Sequence, residues 1–323
     1  MGDVDGIPKP TGYSLLEAIE VDDAVSNHFP EAYKFISAER HGASFWTSTA
    51  RINLELVDGT QYHLFLRTAT GDLGMSILRG EYHGAKAIHK FTPEGIPRPV
   101  AWGTYSSDPN THFYLCELMK MKDELPDIRE FSSMLAKLHQ DSMFMYQDVT
   151  WCMTWEEFFQ RRLQSFVEQE LVAQGPSEEL DEILPRFMDK VIPRLLRPLT
   201  THGRSPRPAL LHGDIWYGNL ATEAKTGDPI YFDPAVFWGH NEYDVGSMAT
   251  PRYQLGREWM EEYHKFLPKS APEDDYEDRN ALYAISGHFC ASTLYPENKN
   301  FRKMAIEDMK KLMEKFPDGY QGE

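Results

Sequence analysis

Three polar residues late in the chain carry the clearest chemical signal. Asp214 and Asn219 are five residues apart in Leu210-Leu-His-Gly-Asp-Ile-Trp-Tyr-Gly-Asn-Leu220, and Asp233 follows nineteen residues after Asp214 in Pro229-Ile-Tyr-Phe-Asp-Pro234. Moving a phosphoryl group from a nucleoside triphosphate to a hydroxyl needs such a set. The hydroxyl must be aimed and its proton accepted, and the triphosphate charge must be neutralised, usually by divalent metal on oxygen ligands. Asp214 is assigned as the base or hydroxyl-orienting group, and Asn219 and Asp233 as magnesium ligands. His212 packs and hydrogen-bonds to fix the loop. Taken singly these are ordinary turn residues, because Gly and Asp both suit turns. Their separations, with apolar runs at Leu210-Leu211 and Ile230 to Phe232 suited to short strands, bring the three to one loop mouth.

A phosphoryl donor such as ATP then needs its own cradle in the first half of the chain: a small-residue loop, a strand cation and a helix carboxylate to pair with it. His41-Gly-Ala-Ser-Phe-Trp46 supplies Gly42, Ala43 and Ser44, a weak signal when taken alone. Tyr62-His-Leu-Phe-Leu-Arg67 ends in the cation, and Leu78-Arg-Gly-Glu81 supplies the carboxylate. Arg67 stands where lysine is usual, replacing a compact ammonium with a planar fork. An Arg67–Glu81 pair can be bidentate. Glu117 and Met119 would line an adenine slot, mainly through backbone groups.

The elements that must position these residues follow from periodicity. Leu15 to Val25 reads as an amphipathic helix, followed by a turn at Asn27-His-Phe-Pro30. Ala43 to Val57 and Gln61 to Thr68 flank Asp58-Gly59 as a β-hairpin. Met75 to Lys90 reads as a helix, and Val100 to Tyr105 and His112 to Leu118 as strands. Beyond Met119, Ile128 to Gln140, Thr154 to Val172 and Glu178 to Leu196 look helical, the last interrupted by Pro185 and Pro193. Mostly helical segments follow Asp233. The pattern is an α+β chain: residues 1–120 form a β-rich nucleotide-binding lobe with an N-terminal helical extension. Residues 121–323 form a larger helical lobe for catalysis and acceptor binding. Lys120 to Pro126 connects them.

Bulk composition narrows the partners. The 323 residues carry a formal charge of −17 and are 41% hydrophobic. That hydrophobic share supplies a core, and the acidic surface repels nucleic acid and anionic membranes. Cys116, Cys152 and Cys290 are too few and scattered for a disulfide framework or a four-cysteine zinc site. With no secretory signal pattern and no long apolar window, a cytoplasmic location is expected. His139 and His288 read as packed or surface histidines, since no second ligand stands at metal spacing. The acidic run Glu273-Asp-Asp-Tyr-Glu-Asp278 reads as a solvated loop or helix start.

With these residues in view, the chain resembles the fructosamine kinase (ketosamine-3-kinase) family, and more distantly the aminoglycoside and choline kinases. The resemblance spans about Ala43 to the C-terminal helices. Its most specific parts are His212-Gly-Asp-Ile-Trp-Tyr-Gly-Asn219 and Phe232-Asp-Pro-Ala-Val-Phe-Trp-Gly-His-Asn-Glu-Tyr-Asp244, with Leu135-Ala-Lys-Leu-His139 in support. It implies a bilobal protein-kinase-like fold and magnesium- and ATP-dependent phosphorylation of a small-molecule or protein-bound ketosamine at the third hydroxyl of its sugar, which promotes deglycation. By position, Asp214 takes the catalytic role, Asn219 and Asp233 the metal roles, and Arg67 the place of the nucleotide lysine. Trp216 could cover a sugar face or pack in the core. Glu242 or Asp244 would support the catalytic loop from Gly239-His-Asn-Glu-Tyr-Asp244. Three readings stay open on the residues alone: a ketosamine kinase, a kinase for another alcohol, and a scaffold without turnover, the last raised by Arg67.

Overall fold

The computed structural model describes residues 17–42, 47–122, 124–145 and 154–322. A single helical turn, α1 (Asp23–Ser26), precedes β1 (Lys34–Arg40), β2 (Ser48–Glu55) and β3 (Gln61–Thr70). Helix α2 (Gly71–His89), β4 (Pro99–Thr104) and β5 (Thr111–Glu117) complete an antiparallel sheet in the order β1-β2-β3-β5-β4. The β2–β3 hairpin turns at Asp58-Gly59. Asp58 Oδ1 accepts the Thr60 amide at 2.9 Å, and Gly59 takes φ +86°, a left-handed backbone that glycine adopts without strain.

The sequence expectation of a helix over Leu15 to Val25 is corrected here. Among its described residues only Asp23 to Val25 are helical. Ala18 forms a β-bridge to Glu39, and the Ile19 amide donates to the Ala38 carbonyl at 3.0 Å. Pairing to the open edge of β1 satisfies backbone groups that the sheet leaves exposed, and this overrides the local helical pattern. Strand β1 itself was not anticipated. Three of its seven residues, Lys34, Glu39 and Arg40, are charged, and only Ala38 is buried.

Strand alternation and helix periodicity together bring Arg67 and Glu81 face to face. Leu64 and Leu66 point into a core beneath the sheet with Ile52, Leu54 and Leu115, so Phe65 and Arg67 point to the opposite face. Helix α2 covers that face. Its buried positions Leu78, Glu81, Ala85 and Ile88 recur at helical spacing, so Glu81 shares the apolar stripe and looks inward. The same helix meets the second half of the chain at Gly84, where a Cβ would lie 2.8 Å from the Val236 side chain.

After a two-residue strand β6 (Met121–Lys122), helices α3 (Ile128–Met145), α4 (Trp155–Gln174), α5 (Glu178–Arg186) and α6 (Ile192–Leu196) follow. The α4 start is closed by a capping box between Thr154 and Glu157. Pro185 sits inside α5, and the chain stays helical by widening into a π-turn over Phe187–Val191 before Pro193 opens α6. Short strands β7 (Ala209–Leu211), β8 (Leu220–Glu223), β9 (Pro229–Tyr231) and β10 (Phe237–Gly239) then frame the loops that hold Asp214 and Asp233. Helices α7 (Glu242–Gly246), α8 (Arg257–Tyr263), α9 (Tyr276–Leu294) and α10 (Asn300–Lys315) close the chain. The acidic run before α9 is not wholly solvated: Asp275 is buried and forms a two-pronged pair with Arg194 at 2.7 and 3.0 Å. No helix among the described residues is long and apolar enough to cross a membrane.

The helical half is organised around Trp155, which is wholly buried against Phe158, Phe159, His240, Tyr243 and Tyr283. Its indole N–H donates to the Tyr283 hydroxyl at 2.9 Å. Trp155→Ala should remove about 3–5 kcal/mol of stability, since it leaves a cavity and removes one of the two hydrogen bonds of the Tyr283 hydroxyl, which keeps His240 Nδ1 at 2.9 Å. Urea denaturation followed by circular dichroism checks this, and a loss below about 1 kcal/mol would mean the cluster collapses freely around the gap.

Candidate active site

The loop bearing Asp214 is bent by its own sequence. Gly213 takes φ +83°, and a Cβ there would lie 2.2 Å from the Ala235 carbonyl oxygen, so both conformation and space demand glycine. Gly218 is demanded by space alone. A Cβ on it would fall 2.3 Å from the Trp216 ring, so the indole lies folded over this glycine. Trp216 is half-buried and also meets Tyr217 edge-on at 4.9 Å.

Asp244 anchors the loop from beneath. Its fully buried carboxylate accepts the His212 amide at 2.7 Å, the Gly213 amide at 2.8 Å and His139 Nε2 at 3.2 Å. Three donors compensate the removal of this charge from water. His139 is held in turn by the Tyr263 hydroxyl at 2.7 Å, which accepts from Asn241 at 3.0 Å. Of the two acids offered by the sequence for loop support, it is Asp244 that touches the loop. Glu242 turns away, accepting the Ser270 amide at 2.7 Å and Arg279 Nε at 2.8 Å, and so ties the Ser270–Pro272 segment to α9. Those donors, with His240, hold its pKa below the usual value despite burial.

His212 links the two acidic loops. Nε2 lies 3.1 Å from the Phe232 carbonyl, which can only accept, and Nδ1 lies 3.4 Å from the Asp214 amide, which can only donate. The ring is therefore the neutral Nε2–H tautomer, and burial lowers its pKa accordingly. The Ala235 amide donates back to the His212 carbonyl at 2.9 Å, and the Phe232 amide to the Asn219 carbonyl at 3.1 Å. These bonds set Asp233 next to Asp214, with Asp233 itself in a left-handed backbone at φ +54°.

Asn219 donates from Nδ2 to both the Asp214 carbonyl and the Asp214 carboxylate, at 2.9 and 2.8 Å. Its Oδ1 has no hydrogen-bond partner among the described residues. Asp214 is open to solvent on one side, yet surrounding protein pushes its pKa up to about 6, with Asp233 adding repulsion and Asn219 opposing. Asp233 is balanced differently. Arg67 Nη1 donates to its carboxylate and, at 2.8 Å, to Glu81, while Arg67 Nε reaches Thr47 Oγ1 at 3.3 Å. Arg67 Nη2 has no acceptor among the described residues. Burial raises the pKa of Glu81, against the pull of Arg67.

The structure thus brings together Asp214, Asn219, Asp233, Arg67, Glu81, His212 and Asp244. Gly42 lies at the turn leaving β1 with φ +78°, while Ala43 and Ser44 fall outside the described residues. Glu117 ends β5 and pairs with Arg98 at 3.4 Å. Met119 stands two residues beyond it, and its backbone N–H and C=O are without hydrogen-bond partners among the described residues. Sequence reasoning missed the part played by His139, although its spacing from Leu135 on an apolar helix face placed it inward. It also missed Thr47 and Tyr263, for which no local signal exists.

Chemically, the site offers one carboxylate poised to accept a proton and an oxygen pair, Asn219 Oδ1 and Asp233, suited to a hard cation. Among the described residues no group of three His, Cys, Asp or Glu side chains forms a metal cage. A magnesium ion commonly takes only one or two protein ligands and completes its shell with phosphate and water, which this donor pair fits.

Comparison with known proteins matches residues 47–315 to the model of the fructosamine kinase family. A chloroplastic protein-ribulosamine 3-kinase of Oryza sativa subsp. japonica is 26% identical over 264 residues, covering 76% of this chain and 71% of its own. The ketosamine-3-kinase of Mus musculus is 35% identical over 136 residues, 42% of this chain and 40% of its own. Among solved structures, a Thermobifida fusca protein provisionally named a fructosamine-3-kinase superposes with a TM-score of 0.67 at 18% identity, covering 91% of this chain and all of its own. An APH(2") aminoglycoside phosphotransferase bound to streptomycin and ATP gives 0.55 at 14% identity, covering 92% and 97%. At such identities the structural likeness establishes the shared fold, the bilobal protein-kinase-like architecture.

The raised pKa of Asp214 has a measurable consequence. A carboxyl whose folded pKa is about 6 against an ordinary 3.8 holds its proton longer in the fold than in the unfolded chain. Stability therefore falls as pH rises through that window, and the whole penalty is present above it. Asp214→Asn should raise Tm at pH 8 by about 1–2 °C, for about 1 kcal/mol after allowing for solvent screening of this open group. The gain should vanish below about pH 4, and calorimetry at both pH values tests it.

Proposed function

The chain belongs to the fructosamine kinase family, and from that premise we propose that it transfers the γ-phosphoryl group of ATP to a sugar hydroxyl of a ketosamine, with Asp214 as the catalytic residue. The observation that carries this reading is the meeting of Asp214 with Asn219 and of Asp233 with Arg67 at one mouth, with Glu81 completing the pair behind Arg67. Residues 1–120 then serve as the nucleotide-binding half and residues 121–323 as the catalytic and acceptor-binding half.

In this mechanism the Asp214 carboxylate accepts a hydrogen bond from the acceptor hydroxyl and orients its oxygen toward the γ-phosphorus. The new oxygen–phosphorus bond forms as the bridging β–γ bond breaks, ADP leaves, and the hydroxyl proton passes to Asp214. Asn219 keeps the carboxylate aimed through its Nδ2 donor. Magnesium, when bound, would neutralise phosphate charge, and Asn219 Oδ1 and Asp233 are the groups that would hold it. Arg67 would turn its unpaired Nη2 toward the phosphates while Nη1 stays on Glu81, two nitrogens of one planar fork sharing what a lysine does with the three donors of a single ammonium. The backbone of Met119 would receive the adenine edge. Trp216, folded over Gly218, would lie along an apolar sugar face. A cytoplasmic setting belongs to the proposal and is consistent with the free thiols of Cys116 and Cys290.

ADP release from ATP, magnesium and a ketosamine panel, against a no-acceptor control, tests the reaction. Asp214→Asn should lower kcat by a factor of about 100 or more while nucleotide still raises Tm. In the wild type, kcat/KM should fall as pH drops through about 6, because protonated Asp214 accepts no hydroxyl proton. A flat profile from pH 5 to 8, or wild-type turnover by the Asn variant, removes Asp214 from the role of base.

Arg67→Lys separates an adapted site from a compromised one. Lysine would have to divide one ammonium among Glu81, Asp233 and phosphate, without the second nitrogen and fixed geometry of the fork, so KM for ATP should rise by about tenfold. Unchanged or improved turnover would show that the arginine fork adds nothing.

A further inference from the structure

The face of the sheet that carries Arg67 also carries a second arginine, outside the cluster around Asp214 and Asp233. Strands β2 and β3 pair Thr49 with Arg67, Arg51 with Phe65 and Asn53 with His63. Alternation puts Arg51, Asn53, His63 and Phe65 on the Arg67 side, since Ala50, Ile52, Leu54, Leu64 and Leu66 fill the core on the other. That side is turned to the helical half, because Asp233 meets Arg67 there. Helix α2 covers it chiefly at β5, β4 and β3, and the β1–β2 side holds the half-buried Glu39, Arg51 and Asn53.

Arg51 is not spent on an ion pair. Glu39 is its cross-strand neighbour, yet no carboxylate lies within 4.0 Å of its guanidinium among the described residues. Nη2 lies 3.0 Å from His63 Nε2 and 3.3 Å from Nδ1, and the buried Nε has no hydrogen-bond partner. Burial and the Arg51 charge lower the His63 pKa, so the ring is neutral and offers the guanidinium one acceptor nitrogen. The guanidinium therefore leans diagonally across the strands toward His63, away from the like charge of Arg67.

These positions fall along the line that a bound nucleotide would take. His63 borders the connector, where its carbonyl accepts the amide of Leu118, one residue before Met119, at 3.0 Å. Arg67 marks the phosphate end, four residues and roughly 13 Å further along β3. Phe65 and Arg51 stand between, with His41 edge-on to Phe65 at 6.3 Å. A nucleotide with its base edge at Met119 and its phosphates at Arg67 passes its base beneath both.

We propose that the Arg51 guanidinium, steadied by His63, lies against the face of the nucleobase as a cationic plate and supplies part of the affinity for ATP. The proposal rests on the ATP reading of the site and adds to it a residue that holds the base. A guanidinium is attracted to the π electrons of a ring it covers, more strongly where water is excluded. Being planar, it also stacks, which an ammonium cannot do.

Calorimetry with ATP, adenosine and inorganic tripolyphosphate separates contact with the base from contact with the phosphates. Arg51→Met keeps a long side chain and removes both the charge and the plane. It should raise Kd for ATP and for adenosine by about five- to tenfold and leave that for tripolyphosphate within about twofold. Arg51→Lys, which keeps the charge without the plane, should fall between. It carries the test if a lowered urea midpoint shows the methionine variant to be poorly folded. Unchanged Kd for ATP and adenosine in both variants overturns the proposal. So does a rise shared equally by tripolyphosphate, which would place Arg51 at the phosphates. A wild type that binds tripolyphosphate as tightly as ATP has no base site, which overturns the proposal and leaves phosphate binding intact. A wild type that binds none of the three overturns the ATP reading itself, and the proposal with it.

Discussion

Asp214 and Asp233 must stand close together with the same charge, and much of the surrounding structure compensates their repulsion. The two acids are balanced by different means. Asp233 is paired with Arg67, whereas Asp214 accepts the Asn219 amide and stays open to solvent. The result is an asymmetry: Asp214 has its pKa raised to about 6, near the range where a carboxylate makes an effective proton acceptor. Two carboxylates of identical chemistry thus acquire distinct characters from their neighbours alone.

That balance depends on rigidity beneath it. Neither acidic loop could hold its geometry if the backbone could relax, and the buried Asp244 carboxylate prevents this by accepting consecutive amides at His212 and Gly213. His139, Tyr263 and Asn241 extend the anchor into α3 and α8. His212 then carries the constraint across to the Asp233 loop through the Phe232 carbonyl. A chain of hydrogen bonds between fully buried groups tolerates little displacement, because each broken bond leaves an uncompensated polar atom in a medium of low dielectric.

Arg67 joins the two halves of the fold. On β3 it belongs to the sheet, Glu81 on α2 holds it from one side, and Asp233 from the helical half holds it from the other. The contact of Gly84 with Val236 and the hydrogen bond between Thr92 and Tyr231 run parallel to it. A longer, forked side chain in place of a lysine keeps these contacts with one nitrogen and retains another. The substitution is thus compatible with phosphate contact, and the scaffold reading loses its main support.

The sequence by itself determined the local parts. The spacing of Asp214, Asn219 and Asp233, the glycines at 213 and 218, the hairpin at Asp58-Gly59 and the inward face of α2 all follow from turn chemistry and periodicity, which act within a few residues. Tertiary structure decided what no local rule reaches. It turned Glu17–Ile19 into an edge pairing with β1 because open strand groups needed partners. It chose Asp244 over Glu242 beneath the Asp214 loop, although both acids lie in the same short segment, because only one of them faces the His212 amide.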